Sequence, residues 1–454
     1  MNNIKQQSLF LTIVFIFSLI VRLIFFYIFL DNNSCELAYD AGHYHELALS
    51  ISNGQGITHG GGAAQFYRLP GYSFFLAACY KIWGTGPHGA LLVQIVLASF
   101  ISLLLFFLSL ALFPGNLTVA LIAALVGVVH PGLLIFSGLV MTESLFLIFF
   151  LLFLIFFITS LRDYSLRIII GAGFFLGIAS LIRPVGHFVL ASSLLLFFFM
   201  TGQSLYQKMM CMLGLFLSWF VVVLPWLVRN YILTGYIFFH TLSGVHFLNH
   251  VAARLCMEVR DVSYQQAQSI IQKDYAAALL AEQDFVGRPL FDIEESNVAE
   301  YIAKNYMIKN PFRMGMHAVR NMLKTTFGLY SSELLVIDSG GQLPAYSSKR
   351  TLREMVMRFL KPEINNKKIY AVIYFEMLLF FLLLCGFCGY LFCCFRGLVF
   401  GKPVLIALSY SGLFVGLSLA CGYARLRFPI EPFLIIFGSY FWFHHVRYIF
   451  YGDF

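Results

Sequence analysis

Ten apolar stretches of about 20 residues run through this chain, and they decide what it can fold into. A helix of that length crosses a bilayer hydrocarbon core of about 30 Å. Charged residues make up only 11% of the 454 positions, against about a quarter in soluble proteins. We therefore predict an all-α polytopic membrane protein with about ten transmembrane helices. The stretches run approximately over residues 8–30, 90–113, 118–138, 143–161, 167–183, 186–202, 208–228, 369–394, 403–422 and 428–448.

The basic residues of the short loops indicate how these spans are oriented. Placing the N-terminus in the cytoplasm puts one set of cations on the cytoplasmic face, as the positive-inside rule requires. Both termini are then cytoplasmic, and the two long connections, residues 31–89 and 229–368, lie outside. The cytoplasmic cations are Lys5, Arg162, Arg167, Lys208, Arg396, Lys402 and Arg447.

This orientation predicts three parts of the chain. Residues 1–228 form an N-terminal transmembrane module of seven spans that includes the helical outer loop 31–89, and residues 369–454 form a three-span module. Between them, residues 229–368 form a mostly helical extracytoplasmic segment, which holds 30 of the 52 charged residues and is expected to face water. Its residues 351–360 are basic and amphipathic, which favours a helix along the membrane interface.

Arginine is frequent at the predicted outer ends of the spans, where the positive-inside rule would make it scarce. A single Arg there can extend to the lipid headgroups, but several on one face suit bidentate binding of a phosphate. The net charge of +8 is therefore attributed to membrane orientation and an anionic ligand rather than to nucleic acid. The outer set is Arg68, Arg183, Arg229, Arg425 and Arg427.

Acidic residues on the same face are fewer, and Asp40 is the best candidate for chemistry. It follows the first span by ten residues, so its carboxylate can stand at the membrane edge and act as a general base. As an alternative, Asp40 caps a helix that runs from about His43 to Ser52. Glu143 opens the fourth span, where it either joins the site or stabilises the helix dipole. The other acids on this face are Glu36, Glu46 and Glu431.

Metal and nucleotide sites have weaker signals in the sequence. His43, His45 and Glu46 could share a helix face and bind a metal, but the group lacks an obvious further ligand. The glycine-rich stretch 54–62 is not followed by the Lys-Ser/Thr of a P-loop, which favours a flexible loop. Nine Cys, five of them in apolar runs, give no disulfide framework. We expect no cofactor and leave a divalent metal open.

Several short motifs follow one another along the chain. They are Arg22 inside the first span, Asp40 followed by His43-Tyr44, Arg68-Leu69-Pro70-Gly71-Tyr72, Gln94, His130-Pro131, Ser137-Gly138 to Glu143, Arg183-Pro184, Pro225 to Asn230, and Arg425 to Pro432. In this order they resemble the GT-C superfamily of integral-membrane glycosyltransferases. The likeness is to the family 39-like group, which includes the protein O-mannosyltransferases and the aminoarabinose transferase of lipid A, and it spans nearly the whole chain.

This resemblance implies transfer of a sugar from a polyprenyl-phosphate donor on the non-cytoplasmic face of the cell (inner or plasma) membrane. The implied partners are that donor, an envelope lipid, glycan or protein acceptor, and membrane lipids, with no nucleic acid. Asp40 is implied as the base of an inverting transfer and Glu143 as a second catalytic acid, although the acid that some relatives carry next to the first is Ala41 here. The candidates for binding the donor phosphate or the acceptor are His43, Tyr44, Arg68, Arg183, Arg425 and Arg427.

Two other classes of membrane protein stay open at this point. A transporter of an anionic substrate predicts charges or broken helices near the membrane midplane and an internal repeat, of which the sequence shows only Arg22. An O-antigen polymerase or ligase would explain the outer arginines but not Asp40 just after the first span.

Overall fold

The computed structural model describes residues 2–31, 40–58, 62–338, 367–397 and 401–451. Within these residues the regular structure is helical apart from an isolated β-bridge between Thr58 and Ala64, which confirms the predicted all-α class. The α-helices are α1 Asn2–Phe29, α2 Ala41–Ser52, α3 Gly71–Trp83, α4 Pro87–Leu112, α5 Leu117–Val129, α6 Pro131–Ile135, α7 Glu143–Asp163, α8 Leu166–Ile182, α9 Val185–Met200, α10 Leu205–Thr234, α11 Leu242–His246, α12 Ala253–Arg260, α13 Tyr264–Val286, α14 Asp292–Lys309, α15 Pro311–Phe327, α16 Ser332–Asp338, α17 Lys367–Phe395, α18 Lys402–Leu417 and α19 Glu431–Tyr451. A π-helix, Phe247–Ala252, follows α11, and a 3₁₀-helix, Ala424–Ile430, precedes α19.

Each of the ten predicted spans coincides with at least one helix. Five helices of the described chain are long and apolar enough to cross a membrane, namely α1, α4, α7, α10 and α17. Helices α5, α8, α9 and α18 are apolar but shorter, and α19 occupies the tenth predicted span. The protein is a multi-pass membrane protein. Helix α7 is the most buried of these five long helices. Of the residues in its apolar stretch, 67% are buried inside the protein, against 56% for α4 and 28% for α1, α10 and α17.

The third predicted span, residues 118–138, is not one helix. Helix α5 ends at Val129 because Pro131 has no amide hydrogen and biases the preceding residue, His130, toward an extended backbone (φ −64°, ψ 119°). Helix α6 then runs for only five residues, and non-helical turns lead from it into α7. The sequence interpretation found no broken helix, since the length of an apolar stretch does not reveal a break at proline.

Arg22 lies inside α1 and is fully buried. Its Nη1 donates to the hydroxyl of Ser18, and its Nη2 donates to the carbonyl of Gly127 at 3.5 Å. Gly127 belongs to the last turn of α5, whose final carbonyls lack partners within the helix. Arg22 therefore places a cation at the negative end of the α5 dipole.

The first outer loop folds into α2 and α3, which pack on the bundle. The helix predicted from about His43 is α2. Helix α3 approaches α8 most closely at Gly71, where a Cβ atom would lie 2.8 Å from the carbonyl oxygen of Leu181 and 2.9 Å from Cγ1 of Ile182. Only glycine permits that approach. Helix α3, and the loop that carries Arg68, are thereby fixed against α8.

Helices α11 to α16 form most of the long predicted outer segment. The π-helix, α12, α13 and α14 share a small apolar core of their own, which includes Leu248, Cys256, Ile271 and Ala299. Helix α15 packs against the stretch that leads into the 3₁₀-helix. Glu36 and the interfacial helix predicted at 351–360 lie outside the described residues.

Candidate active site

Asp40 lies directly before α2, and its side chain turns away from that helix. It occupies the N-cap position but makes no capping hydrogen bond. Instead, Oδ1 accepts from Nη2 of Arg68 at 2.6 Å, and Oδ2 accepts from Nη2 of Arg425 at 3.3 Å. The side chain is 28% exposed, so the carboxylate can be reached from outside the protein. This geometry favours a chemical role for Asp40 over a capping role.

Arg68 is fixed by aromatic side chains on either side of its guanidinium. The guanidinium carbon lies 5.2 Å from the ring centroid of Tyr44 and 4.9 Å from that of Tyr67, which are cation–π distances. Nη2 also lies 3.5 Å from Nδ1 of His43. Four of the predicted site residues, Asp40, His43, Tyr44 and Arg68, are thus brought together on and beside α2.

Glu143 and Arg183 form a second ion pair next to this group. Glu143 is the first residue of α7 and is buried, and Nη1 of Arg183, just after α8, lies 2.5 Å from its Oε1. Gln94 of α4 supports the turns before α7, because its Nε2 lies within hydrogen-bond distance of the carbonyls of Phe136, Ser137 and Leu139. The side-chain amide of Gln94 thereby holds the turns that lead into the first residue of α7.

Arg425, in the 3₁₀-helix, contacts Asp40 and lies within electrostatic range of Glu143. Burial would lower the pKa of Arg425, but the negative charges of Glu143 and Asp40 raise it above its usual value. Burial would likewise raise the pKa of Asp40, but Arg425 and Arg68 hold that pKa below its usual value. Both acids are accompanied by arginines, and Glu333 is a third acid within electrostatic range of Arg425. The three guanidinium groups of Arg68, Arg183 and Arg425 lie close together, an arrangement that suits an anion such as a phosphate.

Arg427 lies in a separate buried network, although it is only two residues from Arg425. Its Nε donates to Oε1 of Glu431 at 2.7 Å, and its Nη1 donates to the carbonyls of Thr325, Thr326 and Gly328. The residue is 2% exposed. A phosphate contact for Arg427 stays a prediction, and its buried position favours a structural role instead.

Histidines of the long outer segment also face the site, and the sequence interpretation missed them. His246 ends α11 and lies within electrostatic range of Asp40, Arg68 and Arg425. The ring of His250, in the π-helix, lies 5.1 Å from that of His246 and 6.4 Å from that of Tyr423. Burial lowers the pKa of His246 and of His240 to about 4, so both are neutral at physiological pH. The spacing of His246 and His250, one helical turn apart, is the signal that could have found them.

The donor set does not fit a divalent metal at this site. Hard cations need several carboxylate or carbonyl oxygens, and zinc needs three or four nitrogen, sulfur or oxygen ligands. Both oxygens of Asp40 and one of Glu143 are paired with arginines. In the described part of the chain, no group of three His, Cys, Asp or Glu side chains is arranged to hold a metal ion.

The sequence was compared with models of protein families and with curated proteins. The family described as dolichyl-phosphate-mannose-protein mannosyltransferase matches residues 68–228. This stretch contains Arg68, Glu143 and Arg183, whereas Asp40 and Arg425 lie outside it. No curated protein matches the chain.

Solved structures with a similar fold are known. The archaeal oligosaccharyltransferase AglB from Archaeoglobus fulgidus, in complex with an inhibitory peptide and a dolichol-phosphate, aligns with a TM-score of 0.56 and 13% identity over 97% of this chain and 51% of that chain. The same organism's oligosaccharyltransferase tethered to an acceptor peptide containing the NVT sequon aligns with a TM-score of 0.53 and 14% identity, over 97% and 50% of the two chains. ArnT from Cupriavidus metallidurans bound to undecaprenyl phosphate is 14% identical over 96% of this chain and 77% of that chain, with a TM-score of 0.42.

The chain spans about half the length of the oligosaccharyltransferases that it matches. Their likeness over 97% of this chain confirms the predicted GT-C fold. The family match confirms, for residues 68–228, the resemblance that the motifs indicated.

Proposed function

We propose that this chain, which belongs with the GT-C membrane glycosyltransferases by its fold and by the family match over residues 68–228, is an inverting glycosyltransferase. It transfers a sugar from a polyprenyl-phosphate donor to an acceptor of the cell envelope, with Asp40 as general base. The reaction takes place on the non-cytoplasmic face, and both termini are cytoplasmic. The sugar is a hexose or a pentose, and the acceptor is a lipid, a glycan or a protein.

The observation that carries this proposal is a carboxylate that is reachable from outside and paired with two arginines. Asp40 is the only acid of the described site that combines partial exposure with contacts to both Arg68 and Arg425. Arg68 has further capacity to bind an anion, because its buried Nε has no partner in the described part of the chain. A base next to several guanidinium groups is what transfer from a sugar phosphate requires.

Asp40 and the neighbouring arginines can carry out each step of the transfer. The acceptor hydroxyl oxygen attacks the anomeric carbon from the side opposite to the phosphate, and its proton passes to Asp40. The bond between the anomeric carbon and the phosphate oxygen breaks, and its electron pair stays on that oxygen. Arg68 and Arg425 stabilise the leaving phosphate, with Arg183 and Glu143 beside them. Inversion follows because attack and departure take place on opposite faces of the sugar.

Binding of the donor would also strengthen the base. Without donor, Arg425 and Arg68 hold the pKa of Asp40 below its usual value, which keeps the carboxylate ionised but makes it a weak base. The singly charged phosphodiester of the donor, next to the same arginines, offsets their positive charge and raises the pKa of Asp40. The base therefore becomes more effective when its substrate is in place.

The test of this function is the variant Asp40→Asn, assayed as purified protein in nanodiscs with undecaprenyl-phosphate-linked hexoses and pentoses. We expect the variant to bind undecaprenyl phosphate and to lose turnover by about 10²-fold or more, since the amide cannot accept the proton. Asp31→Asn is the matched control. Asp31 is also a partly exposed acid that follows α1, but its partner is His88 and not an arginine of the site. Unchanged turnover in Asp40→Asn would remove Asp40 as the base.

A transporter of an anionic substrate is the second candidate, because the structure contains the broken helix that the sequence interpretation had not found. Arg22 and the break at His130 both lie inside the bundle. Both residues already have partners within the protein, however. Arg22 donates to Ser18 and Gly127, and Nε2 of His130 lies 3.3 Å from Oε2 of Glu431. Uptake of a sugar phosphate into proteoliposomes without any transfer product would favour transport over the proposed reaction.

A further inference from the structure

Helix α15 has an apolar face that points away from the protein. Its outward residues are spaced by three or four positions, so they lie on one side of the helix. The stripe extends over nearly the whole helix, about 22 Å at 1.5 Å per residue. Its members and their exposed fractions are Phe312 (81%), Met316 (51%), Val319 (52%), Leu323 (53%) and Phe327 (52%), and we call them the α15 stripe.

The polar face of α15 is the one that packs on the protein. His317, Asn321 and Thr325 are buried. Nδ2 of Asn321 donates to the carbonyl of Leu419 at 3.0 Å, and Nε2 of His317 lies 3.3 Å from the carbonyl of Ala420. A helix of a water-facing module buries its apolar side and exposes its polar side. Helix α15 has the opposite arrangement, which differs from the one expected for a helix of a water-facing segment.

The charges of α15 have one sign. The helix contains Arg313, Arg320 and Lys324 and no acidic residue. A helix with a long apolar face and an excess of basic residues is typical of a membrane surface, where the chains of the lipids cover the apolar side and anionic headgroups attract the cations.

The α15 stripe continues into the surface of a membrane span. The ring of Phe327 lies 6.4 Å from that of Phe380 in α17. On α17 itself, Tyr374, Leu378 and Phe381 are 50%, 59% and 64% exposed, as expected for side chains that face lipid. An exposed apolar surface of this extent usually contacts a binding partner or a membrane. The exposed side of α17 contacts the bilayer, and the α15 stripe is continuous with that side.

We propose that α15 lies in the membrane boundary, with the α15 stripe in contact with the acyl chains of the bilayer. The outer segment is then attached to the membrane by a helix that does not cross it. The attachment also determines the depth of the site, because α15 binds the carbonyls of Leu419 and Ala420 just before the 3₁₀-helix that carries Arg425. This inference needs only a membrane protein and does not depend on the proposed transfer.

The test uses the full-length protein in nanodiscs of phosphatidylethanolamine and phosphatidylglycerol. A photoreactive benzophenone amino acid replaces Val319 or Leu323 in separate variants, and replaces Glu282, an exposed residue of α13, as the control. All three positions are exposed, so the substitutions leave the packing unchanged, and gel filtration checks the fold. After illumination, mass spectrometry identifies what each position has captured.

We expect phospholipid adducts at both Val319 and Leu323, at least five-fold more abundant than at Glu282. Equal lipid labelling at the three positions would contradict the proposal, as would the absence of lipid adducts at Val319 and Leu323. Capture of a second copy of the chain by both stripe positions would also overturn it, since the α15 stripe would then be a protein interface. Measured turnover of the wild-type protein has no bearing on these outcomes, so this inference and the proposed function fail separately.

Discussion

At the scale of single residues, the contact between Arg425 and Asp40 determines the properties of the proposed base. The arginine lowers the pKa of Asp40 against the effect of burial, and Arg68 acts in the same direction. Because the pKa is depressed, the ionised form is present at and above physiological pH and is lost as the pH falls through the depressed value. The acid limb of the pH–rate profile therefore reports on this contact.

Replacing Arg425 with Gln is expected to move the acid limb of kcat/KM to higher pH. Burial raises the pKa of Asp40, and without the guanidinium of Arg425 less positive charge opposes it, so the pKa of Asp40 rises and protonation begins at a higher pH. The measurement is the pH dependence of kcat/KM with the donor that supports turnover. Arg425→Lys keeps the charge and should show a smaller movement.

Arg162→Gln is a suitable control for that experiment, because Arg162 is half-exposed at the end of α7 and its Nε lies 3.5 Å from Oδ1 of the neighbouring Asp163. Its profile should equal that of the wild type. An unchanged acid limb in Arg425→Gln would contradict the role assigned to the contact between Arg425 and Asp40.

At the scale of helices, the sequence predicted where the spans lie but not how they meet. Apolar length is a property of one segment, so all ten stretches could be found from the sequence. The break after Val129 and the close approach of α3 to α8 depend on the neighbouring helices as well. In the sequence Gly71 is only one member of the motif from Arg68 to Tyr72, and nothing in that segment shows that Leu181 will lie against it.

Gly71→Ala is expected to lower both thermal stability and turnover. The added Cβ would lie 2.8 Å from the backbone carbonyl of Leu181, so α3 must move away from α8 and take the loop with Arg68 along. We expect about 1–3 kcal/mol of destabilisation, as for other overpacked positions, together with weaker binding of undecaprenyl phosphate. Gly412→Ala in α18 is the control, since a Cβ there meets nothing within 4 Å. Equal melting temperatures for the two variants would contradict this packing argument.

At the scale of the whole molecule, a buried polar network joins the parts of the chain. Arg427 and Glu431 bond to each other, and the hydroxyl of Tyr330 donates to Glu431 at 2.8 Å. The carboxylate of Glu376, in α17, accepts from the backbone amide of Ser331 at 2.8 Å. The network therefore joins Tyr330 and Ser331 to α17 and α19 and, through His130, to the break between α5 and α6.

Removing only the carboxylate of Glu431 should lower the stability of the protein more than removing both Glu431 and Arg427. Glu431→Leu leaves the guanidinium of Arg427 buried without its carboxylate, which costs about 3–5 kcal/mol for comparable pairs. Adding Arg427→Met eliminates the unpaired charge, so the double variant should recover part of the loss. Thermal unfolding in detergent measures both variants. A double variant no more stable than Glu431→Leu would show that the pair contributes little as a pair.

The candidate site could be predicted only in part, because its residues come from distant parts of the chain. Residue type and position at a span end identified Asp40, Glu143 and the arginines as candidates. Sequence alone could not separate Arg425, which contacts Asp40, from Arg427, which is buried elsewhere, because the two lie two residues apart in one motif and their side chains have different partners. The histidines that face the site were missed, since they lie in a segment without a recognised motif.

The two arginines that contact Asp40 come from opposite ends of the chain, and this has a consequence for biogenesis. Arg68 lies 28 residues after Asp40, whereas Arg425 lies 385 residues after it. During synthesis, the first spans enter the membrane long before the ribosome delivers Arg425. A nascent chain can therefore expose Asp40 and Arg68 at the translocon exit while Arg425 is still absent, so the cluster of these three side chains is complete only after the last helices have been inserted.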